Sequence, residues 1–266
     1  MATTDSAISD PVSNPAAAAP VIRKIGVEDL KDALAKGYAD FNALPTHAVF
    51  LVLIYPLIGL VLARATAVGD LLPLLYPLAG GFALLGPFAA LGLYELSRQR
   101  GLGHDVSWRD AFNILRSHSA GPILMLGGLL LTIFVVWLIV AHSLAEAFLG
   151  DMAKASLWTF AEKVLATPEG WGLILVGNGV GFLFAAAALV LSAISFPLLL
   201  DREVGFGVAV QTSVRACVEN PAAMAAWGLI VATGLVLGSI PLFAGLIVVL
   251  PVLGHATWHL YKKVVV

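Results

Sequence analysis

Charged residues are scarce in this chain of 266 residues: Asp, Glu, Lys and Arg make up 12%, whereas 59% of the residues are hydrophobic. This composition excludes a water-soluble enzyme, because soluble domains carry about twice that share of charge. Fifteen Lys and Arg against 17 Asp and Glu give a formal net charge of -2, so no basic field is present to bind nucleic acid. A single cysteine, Cys217, excludes an internal disulfide and a Cys-rich zinc site. The composition therefore predicts a protein that enters the membrane.

The sequence patterns of common catalytic sites are also missing. There is no Gly-rich phosphate loop before a helix, no Gly-x-Ser-x-Gly, no Cys-x-x-Cys and no His-Glu-x-x-His. We therefore predict a protein that is not an enzyme and that carries no cofactor.

Long uncharged runs predict six membrane-spanning helices. A helix needs about 20 apolar residues to cross the hydrocarbon core of a bilayer. The runs lie at residues 46–61, 71–93, 120–140, 171–200 and 222–260. The last run is nearly twice as long as one span, and residues 238–241 (Gly-Ser-Ile-Pro) predict a turn within it. The fold class is thus predicted to be an all-α membrane bundle, in which six spans form three hairpins.

The two ends of the chain are predicted to lie on one side of the membrane. Residues 1–20 contain almost no large apolar side chain and predict a disordered tail, which leaves residues 21–266 as one membrane domain. Asp5 and Asp10 precede the first basic residue, Arg23, so no signal peptide is expected. Twelve of the 15 Lys and Arg fall on the side that carries both ends. Basic residues next to spans are retained in the cytoplasm, which predicts cytoplasmic termini.

A threefold pattern precedes spans one, three and five. Residues 33–45, 111–122 and 209–221 are each a mixed polar and apolar segment that ends at or near a proline. Each predicts a short amphipathic helix at the cytoplasmic interface, with its apolar side against the acyl chains and its basic side chains at the lipid headgroups. The predicted unit is an interfacial helix followed by a helical hairpin, used three times.

The only sizeable outer segment is predicted at residues 143–168. Its apolar side chains recur at helical spacing, at Leu149, Ala153, Leu157, Phe160 and Val164. We predict an amphipathic helix that lies flat on the outer surface. The alternative is a lid packed over the mouth of the bundle.

Two pairs of glycines predict close contacts between helices. Gly177 with Gly181 and Gly234 with Gly238 are each four residues apart, which lets helix backbones approach in lipid. We expect them to join spans four and five, with a self-association face as the alternative. Asn178 lies between the first two glycines and should bond a neighbouring helix, since an unpaired amide in lipid is unfavourable.

Four histidines form a candidate site for a cofactor. His255 and His259 share one face of span six, because residues i and i+4 are neighbours on a helix. The topology places His47 and His118 at a similar depth, and four imidazoles in one layer could hold a haem or a transition metal. Histidines at the end of a span also bond headgroups or backbone, and we expect that simpler role here and no bound metal.

Three short segments carry a resemblance to known proteins: residues 86–98 (GPFAALGLYELSR), 37–40 (GYAD) and 106–108 (VSW). With these segments the sequence resembles a family of bacterial integral membrane proteins, domain of unknown function family 2189, and the similarity runs from about residue 22 to the end. The resemblance implies a multi-pass inner-membrane protein. It implies no activity and no functional residues.

Three functions remain open from the sequence. We predict a non-enzymatic accessory or scaffolding component of a membrane complex, with membrane lipids and a larger complex as partners. A transporter or channel for a small or lipidic solute is the alternative, favoured by prolines in the spans and weakened because no acidic residue lies inside a span. A haem or metal protein of electron transfer is the third, and it depends on the histidines alone.

Overall fold

The computed structural model describes residues 20–44, 59–60, 74–107, 110–111, 114, 119–150, 157–241 and 244–266. Their secondary structure is helical and contains no β-strand, apart from one isolated antiparallel bridge between Ile22 and Val265. The helices are α1 (Val27–Ala43), α2 (Leu75–Phe82), a 3₁₀ turn (Ala83–Leu85), α3 (Gly86–Ala89), α4 (Leu91–Gly101), α5 (Ala120–Leu149), α6 (Leu157–Ala166), α7 (Pro168–Ser192), α8 (Ser195–Asp201), α9 (Phe206–Glu219), α10 (Pro221–Ser239) and α11 (Leu246–Val264).

Four helical stretches of the described residues are long and apolar enough to cross a membrane. They are Tyr76–Gly101, Ala120–Leu149, Pro168–Asp201 and Pro221–Ser239. They correspond to the predicted spans two to five. Predicted span one, at residues 46–61, lies outside the described residues. Predicted span six corresponds to α11, a 19-residue helix that is not among the four and that carries two histidines and two lysines.

Around the predicted outer segment, residues 143–168, the helices begin and end at residues other than the predicted ones. Helix α5 continues to Leu149, because nothing interrupts the helix before Gly150, which adopts a φ of 69°. Helix α7 begins at Pro168, and the Thr167 hydroxyl caps it by accepting a hydrogen bond from the Gly170 amide at 3.0 Å. The predicted segment 143–168 is therefore divided between the end of α5, the helix α6 and the start of α7, and residues 151–156 lie outside the described residues.

The predicted turn near residues 238–241 is confirmed. Helix α10 ends at Ser239 and α11 begins at Leu246. A Cβ on Gly245 would lie 2.8 Å from the Gly238 Cα. The two glycines thus let the chain reverse with the ends of α10 and α11 almost in contact.

Helix α1 packs along α11, with almost no space between the two backbones. A Cβ added to Gly37 would lie 2.6 Å from the backbone nitrogen of Ala256 and 2.7 Å from the carbonyl oxygen of Val252. Leu30 and Ala33 are buried on the same side of α1 as Gly37. That side is therefore covered by α11, whereas the sequence pattern predicted acyl chains there.

Ion pairs fasten the first turns of α1 to the end of α11. Lys263 Nζ lies 2.7 Å from an Asp32 carboxylate oxygen and 3.5 Å from one of Asp29. The hydrogen bonds that Lys263 and Lys36 donate lower the pKa of Asp32 to about 2. Asp29 also accepts a hydrogen bond from the Gly26 amide, which lowers its pKa and satisfies a free donor at the start of α1.

The described ends of the chain are bonded to each other. The Arg23 amide donates to the Val264 carbonyl at 2.8 Å, and the Val266 amide donates to the Val21 carbonyl at 3.1 Å. The side chain of Asn220, between α9 and α10, accepts from the Ile25 amide at 2.9 Å and donates to the Arg23 carbonyl at 3.2 Å. Residues 21–25 and 264–266 therefore lie on the same side of the bundle.

Asn220→Ala is expected to loosen this connection. The change leaves the Ile25 amide without its acceptor, and Asn220 is only 5% exposed, so we expect a local loss of about 1–3 kcal/mol. Hydrogen exchange should show faster exchange of the Ile25 amide. Asn178→Ala is the control, since Asn178 lies on α7 away from this connection, and equal exchange in both variants would contradict the role given to Asn220.

Candidate functional site

Three helices bring five polar side chains together inside the protein. Asp40 lies in the last turn of α1, Ser97 and Arg100 are three residues apart on α4, and His255 and His259 are four residues apart on α11. We refer to these five residues as the polar cluster. Glycines make the approach possible, because a Cβ on Gly254 of α11 would lie 2.5 Å from the Leu93 side chain of α4.

Asp40 is the centre of the polar cluster. One of its carboxylate oxygens, Oδ2, accepts hydrogen bonds from Ser97 Oγ at 2.6 Å and from His259 Nε2 at 2.7 Å. The other, Oδ1, accepts from the Arg100 guanidinium, with which it forms an ion pair. Asp40 is 4% exposed, so its charge depends on these three donors.

The hydrogen bonds keep Asp40 ionised. Burial alone would raise the pKa of the Asp40 carboxyl, but hydrogen bonds from His259 and Ser97 and the nearby histidines outweigh it and lower the pKa below the ordinary value. An ionised Asp40 accepts only, so the single proton of the Ser97 hydroxyl must point toward it.

The direction of the Ser97 hydroxyl proton determines which ring nitrogen of His255 carries a proton. Ser97 Oγ also lies 2.7 Å from His255 Nδ1. Because the hydroxyl proton is directed to Asp40, we assign the His255 proton to Nδ1, from which it is donated to Ser97 Oγ. Nε2 of His255 then carries a lone pair. This nitrogen is a buried polar side-chain atom of the described residues that has no hydrogen-bond partner.

The structure describes two of the four histidines of the predicted layer. His255 and His259 do face the same layer, but their ring nitrogens contact Ser97 and Asp40. His47 and His118 lie outside the described residues, so the four-histidine layer stays a prediction. In the part of the chain that the structure describes, no three His, Cys, Asp or Glu side chains are grouped so as to hold a metal ion.

The glycine pairs contact partners other than the expected ones. Gly181 of α7 faces Trp137 of α5, whose ring would lie 3.1 Å from an added Cβ. Gly234 and Gly238 of α10 face α11, where the nearest side chains are Val249 and Leu246 respectively. An added Cβ on Gly177 would meet only Leu173 of its own helix, at 3.8 Å.

Asn178 bonds a neighbouring helix, as its position in a span requires. Its Oδ1 accepts a hydrogen bond from the Tyr76 hydroxyl at 2.7 Å, and its Nδ2 donates to the Ile174 carbonyl of its own helix at 2.7 Å. Both polar ends of the amide are thereby satisfied.

A second buried carboxylate lies on α4, about one turn after the start of that helix. Glu95 is 2% exposed and accepts two hydrogen bonds from the Arg98 guanidinium, each 2.8 Å long, and one from Gln99 at 2.5 Å. Its donors all come from α4, whereas the donors of Asp40 come from α4 and α11. Glu95 is thus neutralised within one helix, and Asp40 is the carboxylate that joins helices.

Sequence reasoning did not identify Asp40, Ser97 and Arg100 as site residues. Asp40 falls within the predicted interfacial helix at residues 33–45, and Ser97 and Arg100 follow the predicted span at residues 71–93. A signal was present in the segments 37–40 and 86–98 that carry the family resemblance, since they contain Gly37, Asp40 and Ser97. Nothing in their spacing along the chain indicates that they meet.

The fold and the composition of its helices define a multi-pass, α-helical integral membrane protein. Residues 75–201 match the sequence model of a family described as "Predicted integral membrane protein (DUF2189)", which confirms the resemblance over that region. No curated protein and no solved structure matches the chain.

Proposed function

We propose that this protein is a non-enzymatic, multi-pass component of the bacterial inner membrane that accompanies a larger membrane complex. In this proposal residues 46–61 and α11 complete six spans, and both ends of the chain lie in the cytoplasm. The adjacency of residues 21–25 and 264–266 supports the shared side. The excess of Lys and Arg on that side supports the orientation.

The distribution of charge is the observation that carries the proposal. Asp, Glu, Lys and Arg are absent from residues 120–145, 170–200 and 221–239, which form most of three candidate spans. The polar cluster lies outside these three stretches, on the last turns of α1 and α4 and on residues 255–259 of α11. A charged solute would therefore meet no fixed counter-charge along these spans, whereas a protein or lipid partner would find a continuous apolar surface.

The environment of Ser97 supports the absence of enzymatic activity. A hydroxyl next to an imidazole is the arrangement of a catalytic serine. Ser97 is 1% exposed, however, and its oxygen is bonded to both Asp40 and His255. The hydroxyl thus has no free side for a substrate.

Photocrosslinking in the native membrane tests the proposal. A photoreactive amino acid is placed at Phe182 of α7, which is 70% exposed, and in a matched variant at Ile194, which is fully buried. We expect one other membrane protein to be crosslinked from position 182 and none from position 194. Adducts with lipid alone at position 182, together with a protein that purifies without partners, would contradict an accessory role.

The polar cluster favours transport of a small solute as a second candidate function. Buried carboxylates and histidines within membrane proteins mark proton pathways. The sequence predicted no acidic residue inside a span, but Glu95 lies within the candidate span Tyr76–Gly101 and is buried, and Asp40 of α1 is buried beside that span. The predicted lack of acidic groups is therefore a weaker argument against transport. Accumulation of a solute in proteoliposomes that is lost in Asp40→Asn would favour this candidate.

A further inference from the structure

We propose that the polar cluster is a proton-binding site, in which Nε2 of His255 accepts a proton and a relay through Ser97 connects it to Asp40 and His259. The inference does not depend on the accessory role proposed above. It rests on an unbroken series of contacts, on burial, and on one nitrogen that the fold leaves unpaired.

The contacts form a continuous path from the interior to the edge of the protein. His255 Nδ1 lies 2.7 Å from Ser97 Oγ, Ser97 Oγ lies 2.6 Å from Asp40 Oδ2, and Asp40 Oδ2 lies 2.7 Å from His259 Nε2. All three distances are those of ordinary hydrogen bonds. The side chain of His259 is 20% exposed, whereas His255 is fully buried. The path therefore has one buried end and one end in contact with the surroundings.

The hydrogen bonds inside the cluster leave one buried nitrogen of His255 without a partner. His259, Ser97 and Arg100 donate to Asp40, and His255 donates to Ser97 through Nδ1. Among the described residues, Nε2 of His255 has no donor to accept from. A buried acceptor without a partner is unfavourable, and one added proton would make Nε2 a donor, for which the backbone carbonyl of Leu93 beside the imidazole is the acceptor.

Transfer along the path balances in protons and bonds. A hydronium ion that reaches His255 gives its proton to Nε2 and becomes water, and the Nδ1–H bond of His255 breaks as the Nδ1 proton passes to Ser97 Oγ. The original Ser97 O–H bond breaks as its proton passes to Asp40 Oδ2. His255 is again neutral with its proton on Nε2, Ser97 is again a hydroxyl, and Asp40 is a carboxylic acid. One proton has been taken up and no other group has changed.

The charged and titratable groups around His255 come from all three helices. Asp40 of α1 is negative, Arg100 of α4 is positive, and His259 lies one turn away on α11; the backbone carbonyl of Leu93 also acts on the imidazole. The pair of Asp40 and Arg100 is neutral overall, so an added proton leaves a single net positive charge in the cluster. Asp40 attracts that charge if it lies on His255 and accepts the proton if it moves.

The experiment is histidine and aspartate NMR on the full chain in lipid nanodiscs. With ¹⁵N-labelled histidine and ¹³C-labelled aspartate, the protonation of each His255 nitrogen and of the Asp40 carboxyl is followed against pH. His255→Gln and Asp40→Asn assign the signals. At neutral pH we expect a proton on Nδ1 and none on Nε2. On acidification, Nε2 should gain a proton and the Asp40 signal should move in the same step, since the two groups are coupled.

Substitution of Ser97 separates a relay from a merely structural contact. In Ser97→Ala the two steps should move apart by about one pH unit or more, because the oxygen that couples them is gone. Ser97→Thr keeps a hydroxyl and should restore the common step. His104→Gln is the control, since His104 is exposed and bonds Gln99 outside the cluster.

Either of two results would overturn the proposal. The first is a proton on Nε2 of His255 at every pH tested, which would make that nitrogen a permanent donor. The second is a Ser97→Ala protein whose His255 and Asp40 titrate as in the unchanged chain. The His142 signal, from the far end of α5, reports whether each variant is folded. If Ser97→Ala does not fold, the tautomer of His255 in the wild type alone decides whether the proposal holds.

Discussion

Gly37→Ala is expected to destabilise the protein by about 3 kcal/mol or more, which is the upper range for overpacking. The new methyl group would lie 2.6 Å from the Ala256 nitrogen and 2.7 Å from the Val252 oxygen. Both atoms belong to the backbone of α11, so no side chain can rotate away, and α1 has to move. Tryptophan fluorescence during thermal unfolding in mild detergent would measure the loss, and Trp258 of α11 is a suitable reporter.

Other helical glycines supply the controls for this substitution. An added Cβ at Gly128 of α5 meets no atom within 4 Å, and at Gly177 it meets only Leu173. Alanine at either position should be neutral or should stabilise its helix by up to about 1 kcal/mol, because alanine has the higher helix propensity. If Gly37→Ala were as stable as these controls, α1 would not be packed on α11 as described.

Asp40→Ala is expected to have the largest effect within the polar cluster. The change leaves Arg100, His259 and Ser97 without their common acceptor. Removal of one partner from a buried ion pair costs about 3–5 kcal/mol, but the Arg100 side chain is 41% exposed and water recovers part of this, so we expect about 2–3 kcal/mol. Chemical unfolding of Asp40→Ala, Arg100→Ala and the double variant measures the coupling between the two residues.

Glu28→Ala, on the same helix, is the control for loss of a carboxylate. Glu28 pairs with Lys31, and its side chain is 85% exposed. We expect a change of at most about 0.5 kcal/mol, because exposed ion pairs contribute little. Equal losses at positions 28 and 40 would show that the three donors do not depend on Asp40.

The contribution of Asp40 should also depend on pH, with a defined sign. Its pKa is lower in the folded protein than the value of about 3.9 expected in an unfolded chain. The stabilisation is therefore fully present above that unfolded value and is lost as the pH falls through the lower folded value. Unfolding of the wild type and of Asp40→Asn between neutral and strongly acidic pH should show their difference in stability shrink in that acidic range.

The sequence predicted the four candidate spans of the described residues, spans two to five, because each span is a local property. An uncharged run of about 20 residues has to cross the bilayer as a helix whatever its neighbours are. The turn between α10 and α11 could also be predicted from the local sequence, because Gly238 and Pro241 are residues that favour a turn. The extension of α5 to Leu149 was missed because the predicted span ended at residue 140 and the predicted outer segment began at residue 143, although no residue between them interrupts a helix.

The polar cluster could not be predicted in the same way. The shared face of His255 and His259 follows from helical spacing, but their partners depend on how α1 lies on α11. That register is set by the contact of Gly37 with the backbone of Ala256. The two residues are separated by more than half of the chain. An Asp at the end of an amphipathic helix is usually solvated, and only the packing of α1 turns Asp40 inward.

The bonds between the two described ends of the chain constrain the order of assembly. Arg23 Nε donates to the Lys263 carbonyl at 2.8 Å, although the two residues are 240 positions apart. The ribosome makes α1 long before α11, so the contacts between these two helices, including those of Asp40, can form only after α11 has been synthesised. The bundle therefore closes around the last helix of the chain, and a chain shortened before α11 is expected to leave its first helix undocked.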